Sequence, residues 1–234
     1  MRILFFTFLI TMVGISNANA QAVMESIYEI RHAFDFYRNQ SQSTTINPLH
    51  VTTEVLGSPY LNDEFIDGVI YTKSKMQFVD VPLRFNVYQN QVEFRNEKKE
   101  TYAIATPEII ERIEFGDYLI EYIPYQQGNK TQEGYFLVLE KGEATLYSRL
   151  RVSLEQPKPP GGYQEAVPAR FIDRPEVYFV RIGEEPAVEI SKRKDIESVF
   201  SSKKNIMNSL INTKRIKPND EQALLELVKH YNSN

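Results

Sequence analysis

The sequence predicts an α+β protein: a curled antiparallel sheet, barrel- or sandwich-like, with an N-terminal helix and two to three C-terminal helices. Apolar and polar residues alternate in short runs between residues 65 and 190, and turn residues separate those runs. Apolar residues take up helical spacing from residue 191 to residue 232. Short alternating runs joined by frequent turns are typical of antiparallel sheets that curl into a barrel or sandwich.

The first twenty residues have the layout of a secretory signal peptide. Arg2 precedes an apolar run from Ile3 to Val13, and Ala18-Asn19-Ala20 supplies small residues at positions −3 and −1. The run is too short to span a bilayer. We therefore expect cleavage after Ala20 and export of residues 21–234 as one soluble α+β domain, either to a bacterial periplasm or to the medium.

A helix is predicted over residues 22–38. Its apolar residues recur at helical spacing and are Val23, Ile27, Ile30, Phe34 and Tyr37. The opposite side carries Tyr28, His32 and Phe36, so this helix is either sandwiched or leaves one side free for a partner. The polar, turn-rich residues 39–58 are predicted to form a connecting loop.

The next region reads as strands. A first strand is predicted from Phe65 to Tyr71, followed by one in which Val79, Val81, Leu83, Phe85 and Val87 face inward. Pro82 cannot donate to a strand ladder, so the second strand is predicted to be an edge strand or to carry a bulge. Gln89-Asn90 turns the chain, and further strands are predicted at 92–94, 101–105, 118–125 and 134–140.

The clearest alternation lies between residues 144 and 154. It predicts that Leu146, Leu150 and Val152 are buried while Arg149 and Arg151 are exposed, because successive side chains of a strand point to opposite faces. The following residues 156–170 contain four prolines and could be a linker or a long loop. Only one hairpin follows, around 177–190, and it would be marginal alone, so we favour one domain with a proline-rich loop.

Three short amphipathic helices are predicted at the end of the chain, over residues 191–232. Ser191 can cap the first, and Asn219 or Asp220 can cap the third. Their apolar stripes are Ile196, Val199 and Phe200; Ile206, Met207, Leu210 and Ile211; and Ala223, Leu224, Leu227, Val228 and Tyr231. These stripes are expected to pack on one face of the sheet.

The segment GSPYLNDEFIDG, residues 57–68, raises the question of a metal or catalytic site because it holds three carboxylates. A calcium loop needs oxygen ligands at alternate positions, and Asp63 and Asp67 have Phe65 and Ile66 between them, so the spacing does not match. Neighbouring carboxylates on a strand point apart, which disfavours an acid–base pair. Turn chemistry explains the Gly, Pro, Asn and Asp residues, and we predict turns that lead into the first strand.

This segment also belongs to a set of landmarks: GSPYLNDEFIDG, PLRFNVYQNQVEF (82–94), GYFLVLEKG (134–142) and LLELVKHYN (224–232). They resemble an uncharacterised family of exported bacterial proteins that has no assigned activity. The resemblance extends over nearly the whole chain after residue 20 and implies export and one shared fold. It carries no catalytic or ligand-binding residue to this sequence.

Tyrosines are concentrated in one stretch. Tyr118, Tyr122, Tyr125, Tyr135 and Tyr147 lie within thirty residues and form a candidate binding surface for a sugar or a peptide. The alternative, which we favour, is that they pack across strands inside the sheet, because tyrosine has high β-propensity.

Composition excludes several chemistries. The chain has no cysteine, which excludes disulfides, thiolate nucleophiles and thiolate metal sites. His32, His50 and His230 show no zinc-binding spacing, so we expect no structural transition metal and no cofactor. No nucleotide-binding loop and no Gly-x-Ser-x-Gly elbow occur in the sequence, which lowers the expectation of an enzyme.

Charge is unevenly distributed. Residues 192–217 carry eight Lys and Arg against two acids, a net of +6, whereas the rest of the chain after residue 20 carries −11. We predict that Lys192, Lys194, Lys203 and Lys204 are mostly exposed and dispensable for folding. They would make at most a weak, salt-sensitive contact with an anionic envelope surface. Nucleic acid is not expected as a partner outside the cytoplasm.

Two function classes remain at this point. The leading hypothesis is an exported non-catalytic protein that binds a partner protein, a glycan or an apolar ligand at the bacterial cell envelope. The alternative is an envelope hydrolase whose site is assembled only in three dimensions. A deep pocket that gathers a histidine or two carboxylates would favour the hydrolase, and an apolar or tyrosine-lined groove would favour binding.

Overall fold

The computed structural model describes residues 55–96, 98–160 and 165–233. The predicted signal peptide 1–20, the predicted helix 22–38 and the loop up to residue 54 lie outside these residues. Within them, the strands are β1 (Ile66–Thr72), β2 (Gln77–Asn86), β3 (Gln91–Arg95), β4 (Thr101–Ala103), β5 (Ile110–Phe115), β6 (Tyr118–Gln127), β7 (Lys130–Glu140), β8 (Ala144–Glu155), β9 (Arg170–Ile182) and β10 (Val188–Glu189). The helices that follow are α1 (Arg193–Val199), α2 (Lys204–Lys214) and α3 (Glu221–Asn232).

The strands form one antiparallel sheet in the order β10-β9-β8-β7-β6-β5-β1-β2-β3-β4. The sheet curls into a half-barrel and the helices come after it in the chain, which confirms the predicted α+β class with a curled antiparallel sheet. Most neighbours in the chain are also neighbours in the sheet, as alternating runs with short turns predict. Among the described residues, no helix has the length and apolar character required to cross a membrane.

Strand β2 shows where the predicted alternation breaks. Val81, Leu83, Phe85 and Val87 are buried as predicted, but Val79 is 58% exposed and Phe78 is buried instead. The pairing with β1 explains this difference: Gly68 pairs with Val81 and Ile70 pairs with Phe78, so β2 has one extra residue there. An extra residue reverses the faces before it. The predicted bulge lies at Val79–Asp80, before Pro82, and Pro82 itself pairs in register with Asp67 in an interior strand.

The half of the sheet that contains β1 to β5 surrounds one apolar cluster, here called the sheet core. Its fully buried members include Ile70, Val81, Leu83, Val92, Ile113 and Ile120. Strand β8 diverges from β7 after a short pairing of Leu137–Glu140 with Leu146–Ser148, and continues with β9 as a two-stranded extension. We call residues 149–155 and 170–177 the arm. Leu150 and Val152 of the arm pack on the sheet core.

A side chain bridges the gap that this divergence opens. Asn90, in the turn between β2 and β3, donates from Nδ2 to the Tyr135 carbonyl at 3.0 Å. The Tyr135 N–H donates to Asn90 Oδ1 at 2.9 Å. The amide of Asn90 thus makes the two hydrogen bonds that a neighbouring strand would make to β7.

The other half of the sheet closes on a second cluster. Ala187, which precedes β10, donates to the Pro124 carbonyl at 2.9 Å and accepts from the Gln126 N–H at 2.8 Å. Both partners belong to β6, so the strands from β6 to β10 return to their starting point. They enclose what we call the aromatic core: Ile123, Tyr125, Phe136, Tyr147, Phe179 and Ala187.

The three helices pack on the outer side of β8 and β9. The resulting cluster, here called the helix core, joins Ala144, Leu146 and Val180 of the sheet to Ile196, Phe200, Met207, Ile211, Leu224, Leu227, Val228 and Tyr231 of the helices and their connections. The predicted stripes are confirmed except at Ile206, which is 47% exposed. Ile206 lies about 100° around α2 from the buried Met207, beyond the edge of the stripe.

Two polar side chains fix the two ends of α3. Asp220 caps α3 by accepting from the Ala223 N–H at 3.1 Å, as predicted. At the other end of α3, Asn232 accepts from the Ala144 N–H at 2.8 Å and donates to the Ala144 carbonyl at 2.9 Å. Gly142 lies beside this contact, and a Cβ there would overlap the side-chain amide of Asn232.

Candidate functional site

The segment 57–68 folds over an arginine of β2. The Arg84 guanidinium lies 3.6 Å from the Tyr60 ring centroid and 4.5 Å from the Phe65 ring centroid. It also donates to the Asp63 carbonyl at 3.1 Å. An arginine placed between two rings gains cation–π attraction while its donors stay satisfied, so this contact fastens the segment to the sheet.

The same arginine pairs with a buried carboxylate. Glu93 of β3 is 0% exposed, and it accepts from Arg84 Nη2 at 2.7 Å and from Asn86 Nδ2 at 3.1 Å. Burial, followed by the negative charge of Glu93, raises the pKa of Tyr60. Asp63 is exposed and accepts from the Ser58 hydroxyl. The Asp63 carboxylate is thus engaged in a contact within the segment, as the turn interpretation predicts.

The five candidate tyrosines do not lie on one surface. Tyr118, Tyr122 and Tyr135 belong to the sheet core, whereas Tyr125 and Tyr147 belong to the aromatic core. Tyr125, Tyr135 and Tyr147 are buried, with at most 3% of each residue exposed. Their rings pack edge to face, for example Tyr122 on Tyr135 at 4.9 Å. These contacts are the cross-strand packing that was favoured from β-propensity.

A polar group closes one end of the aromatic core. The Tyr147 hydroxyl donates to Glu121 Oε2 at 2.7 Å, and Lys141 Nζ donates to Glu121 Oε1 at 2.5 Å. Burial and then the nearby Glu121 raise the pKa of Tyr147 above its ordinary value of 10. The phenol therefore stays protonated at neutral pH and acts as a hydrogen-bond donor that ties β6 to β8.

The predicted basic residues divide into two groups. Lys192 and Lys194 are exposed as predicted. Lys203 is not: its side chain is only 24% exposed, donates to Glu143 Oε2 and to the Tyr231 carbonyl at 3.1 Å each, and lies over the Tyr231 ring. The side chain of Lys204 lies outside the part of the molecule that the structure describes. Among the described residues, no three His, Asp or Glu side chains converge to hold a metal ion.

An exposed apolar surface is present at the far end of the arm. We call it the arm patch and define it as Leu56, Tyr88, Val167 and Phe171. Leu56, Tyr88 and Val167 are 47%, 41% and 44% exposed. The sequence does not indicate it, because Leu56, Tyr88 and Val167 come from three separate turns and loops and Phe171 from the start of β9. The only sequence feature that could indicate this patch is the presence of apolar residues in loops, where they show no periodicity.

Backbone and ring contacts join Leu56, Tyr88 and Phe171 of the arm patch. The Leu56 N–H donates to the Ala169 carbonyl at 2.9 Å, and the Phe171 N–H donates to the Leu56 carbonyl at 2.8 Å. The Tyr88 ring packs edge to face on the Phe171 ring at 5.4 Å. Val167 exchanges two backbone hydrogen bonds with Lys158, which fixes the base of the proline-rich loop.

A shallow groove of about 430 Å³ continues the arm patch. Its lining is Pro157, Lys158, Pro159, Ala166, Val167 and Pro168. Proline contributes apolar surface with little conformational freedom to lose on binding. The arm patch and this groove together form the candidate functional site.

Comparisons with known proteins add no assignment: no family model, no curated protein and no solved structure matches the chain.

Proposed function

We propose that this chain is an exported, non-catalytic binding protein of the bacterial cell envelope that holds a partner protein on the arm patch. The observation that carries the proposal is the exposure of Leu56 and Tyr88, which both contact Phe171, together with that of Val167, which lines the proline-rich groove. Contiguous exposed apolar surface on a folded protein marks an interaction site more often than a random surface does. Tyrosine is enriched at the buried centre of such interfaces.

An apolar ligand inside the curled sheet is less well supported than a partner on its outside. Ring contacts of the protein itself fill the sheet interior: Tyr135 packs against Phe85 and Tyr122, and Phe136 packs against Phe179. A bound lipid would have to displace these rings, and close-packed cores resist added volume. The arm patch needs no such rearrangement.

A glycan is also less well supported at this surface. Sugars are held by several hydrogen bonds as well as by an aromatic face. Pro157, Pro159 and Pro168 have no N–H donors, and of the described lining residues only Lys158 has a side-chain donor. A protein segment with apolar side chains matches this lining better.

Export is part of the proposal and rests on the N-terminal sequence. Mass spectrometry of the protein recovered from outside the cytoplasm should find a chain that begins at Gln21. A species that retains Met1 and stays in the cytoplasm would contradict the envelope assignment.

Site-specific photo-crosslinking tests the partner. A benzophenone amino acid is introduced at position 88 of the full-length precursor, and producing cells are irradiated. We expect one discrete adduct with a second polypeptide. The control position is Lys98, which is exposed in the turn at the opposite end of β3 and should give no such adduct.

Two matched variants decide whether the adduct depends on the patch. Val167→Glu places a charge in the arm patch, and Val79→Glu places one on a valine that is 58% exposed in β2. The adduct should fall at least about tenfold with Val167→Glu, since a charge opposite an apolar surface is costly to bury. Equal adduct yields in both variants, or an adduct only with polysaccharide, would contradict the proposal.

A further inference from the structure

The helices carry a second exposed surface, where α1 starts and α2 ends. Arg193, the first residue of α1, contacts Asn212 near the end of α2 through a side-chain hydrogen bond. This contact places the start of α1 beside the last turn of α2. Lys192 and Lys194 therefore lie next to the segment that holds Arg215 and Lys217. We call these four residues, with Arg193 and Lys214, the basic shelf.

Most of the positive charge on the basic shelf is not neutralised. Lys192, Lys194, Arg215 and Lys217 are exposed, and none of them forms a salt bridge within the described part of the chain. Arg193 pairs with Glu197 at 2.9 Å, and Lys214 pairs with Glu226. Four cations with no ion pair thus sit beside two that are paired.

Two carboxylates near the basic shelf, those of Asp195 and Asp220, are engaged at helix starts. Asp195 accepts from the Ser191 hydroxyl at 2.8 Å and from the backbone N–H groups of Ser191 and Lys192. Asp220 caps α3 through the Ala223 N–H. Both carboxylates satisfy helix starts, so they lower the local charge without covering the lysines.

The shelf matters because the chain as a whole is acidic. The formal net charge is −4, so the protein as a whole is repelled by anionic surfaces. Any attraction to them has to come from a local concentration of cations that lies within a Debye length of the surface, about 10 Å at 0.1 M salt. The basic shelf supplies that concentration.

From these observations we propose that the basic shelf docks the protein on an anionic phospholipid surface. The four unpaired cations lie at two helix ends and are exposed, which suits a plane of phosphate groups better than one enclosed anion. Each Lys or Arg close to an anionic membrane strengthens binding about fivefold.

Vesicle sedimentation of the chain from Gln21 to Asn234 tests this docking. The probes are phosphatidylcholine vesicles with about 30% phosphatidylglycerol and vesicles of phosphatidylcholine alone, at about 25 mM and about 150 mM salt. We expect binding to the anionic vesicles at low salt, a loss of at least about tenfold at the higher salt, and no binding to the neutral vesicles. Absence of binding to anionic vesicles at low salt would overturn the proposal.

Two quadruple variants with the same charge change locate the binding surface. The shelf variant replaces Lys192, Lys194, Arg215 and Lys217 by Gln. The control variant replaces Lys73, Lys98, Lys99 and Lys130 by Gln; all four are exposed, and Lys99 matches Arg215 in having a positive φ. The shelf variant should lose at least about tenfold more affinity than the control.

Equal losses in the two variants would show that net charge and not the shelf governs binding, and would overturn the proposal. Binding to polyglutamate tests the alternative that the basic shelf binds an acidic protein partner. Shelf-dependent binding to polyglutamate without binding to vesicles would also overturn membrane docking. Circular dichroism of both variants confirms that they are folded. None of these measurements involves the arm patch, so they leave the partner-binding proposal to its own test.

Discussion

The two ends of the β8–β9 hairpin are covered in different ways. At the helix end, Ala144 and Leu146 are fully buried under the helix core. At the arm end, Leu150 and Val152 are half-buried, and Leu56, Tyr88 and Val167 remain exposed. A twelve-residue strand such as β8 spans about 40 Å, so one hairpin joins a sealed core to an open apolar surface. The covered helix end contributes stability, and the uncovered arm end leaves an apolar surface available for binding.

The largest expected effect comes from the two leucines that sit at these ends. Leu146→Ala should lower the free energy of unfolding by about 3–5 kcal/mol, because it leaves a cavity between the sheet and the helices. Leu150→Ala removes a half-buried side chain and should cost about 1–3 kcal/mol. Urea unfolding followed by circular dichroism measures both. Equal losses would mean that the arm is packed as tightly as the helix end.

Two asparagines give the next comparison, because each makes a pair of hydrogen bonds to a strand edge. Asn232→Ala leaves the buried Ala144 N–H and carbonyl without partners and should cost about 1–3 kcal/mol. Asn90→Gly should cost a similar free energy of unfolding, because it removes both hydrogen bonds to the Tyr135 backbone. Glycine is used here because Asn90 has a positive φ of 53°, which glycine adopts without strain. Amide hydrogen exchange should then speed up at Ala144 in the first variant and at Tyr135 in the second.

Gly142 provides the control for the helix end. Gly142→Ala should displace the Asn232 side chain and lower stability in the wild-type background. In the Asn232→Ala background the added methyl group meets no amide, so it should cost much less. If the losses of stability from the two substitutions were additive, the direct contact between residue 142 and the Asn232 side chain would be contradicted.

Much of this fold could be predicted from the periodicity of the sequence. Apart from β5, the strands, the Asp220 cap and most of the buried helix stripes follow from alternation, turn residues and helical spacing. The sequence does not predict β5, β9 begins at Arg170 and not near Val177, and Ser191 does not cap α1, whose N-cap is Lys192. The errors have local causes. A bulge reversed the faces at Val79, and Arg149, predicted to be exposed, is partly buried with its guanidinium 4.8 Å from the Tyr125 ring centroid. Tyr147 is buried on the opposite face of β8 from Leu146, because the aromatic core covers that side.

The candidate site could not be predicted in the same way. Leu56, Tyr88 and Val167 come from a loop, a turn and a proline-rich connection, where no period assigns a side chain to a face. Their proximity depends on the divergence of β8 from β7, which a single sequence does not reveal. Likewise, the basic shelf needed the contact between Arg193 and Asn212 to bring its two halves together.

Alkaline pH should weaken the helix end through Tyr178. Burial, then the charges of Glu176 and Glu221, raise the pKa of Tyr178 to about 12. Because the folded-state pKa lies above the ordinary value of 10, the stabilisation is complete below pH 10 and is lost as the pH rises toward 12. Tyr178→Phe should flatten the fall of the unfolding free energy over that range. The reduction should be well under about 1.4 kcal/mol, which is the free energy that one full pKa unit represents. Identical pH profiles would contradict this role.

The smallest expected effects distinguish two lysines of the helix end. Lys203 lies 4.0 Å from the Tyr231 ring centroid and donates to Glu143 and to the Tyr231 carbonyl, so Lys203→Gln should cost about 1 kcal/mol in urea unfolding. Lys194 is exposed, and Lys194→Gln should change stability by less than about 0.5 kcal/mol. Vesicle binding should show the reverse order, since Lys194 belongs to the basic shelf and Lys203 is held against Tyr231. A loss of vesicle binding with Lys203→Gln but not with Lys194→Gln would contradict the assignment of the membrane-facing surface to the basic shelf.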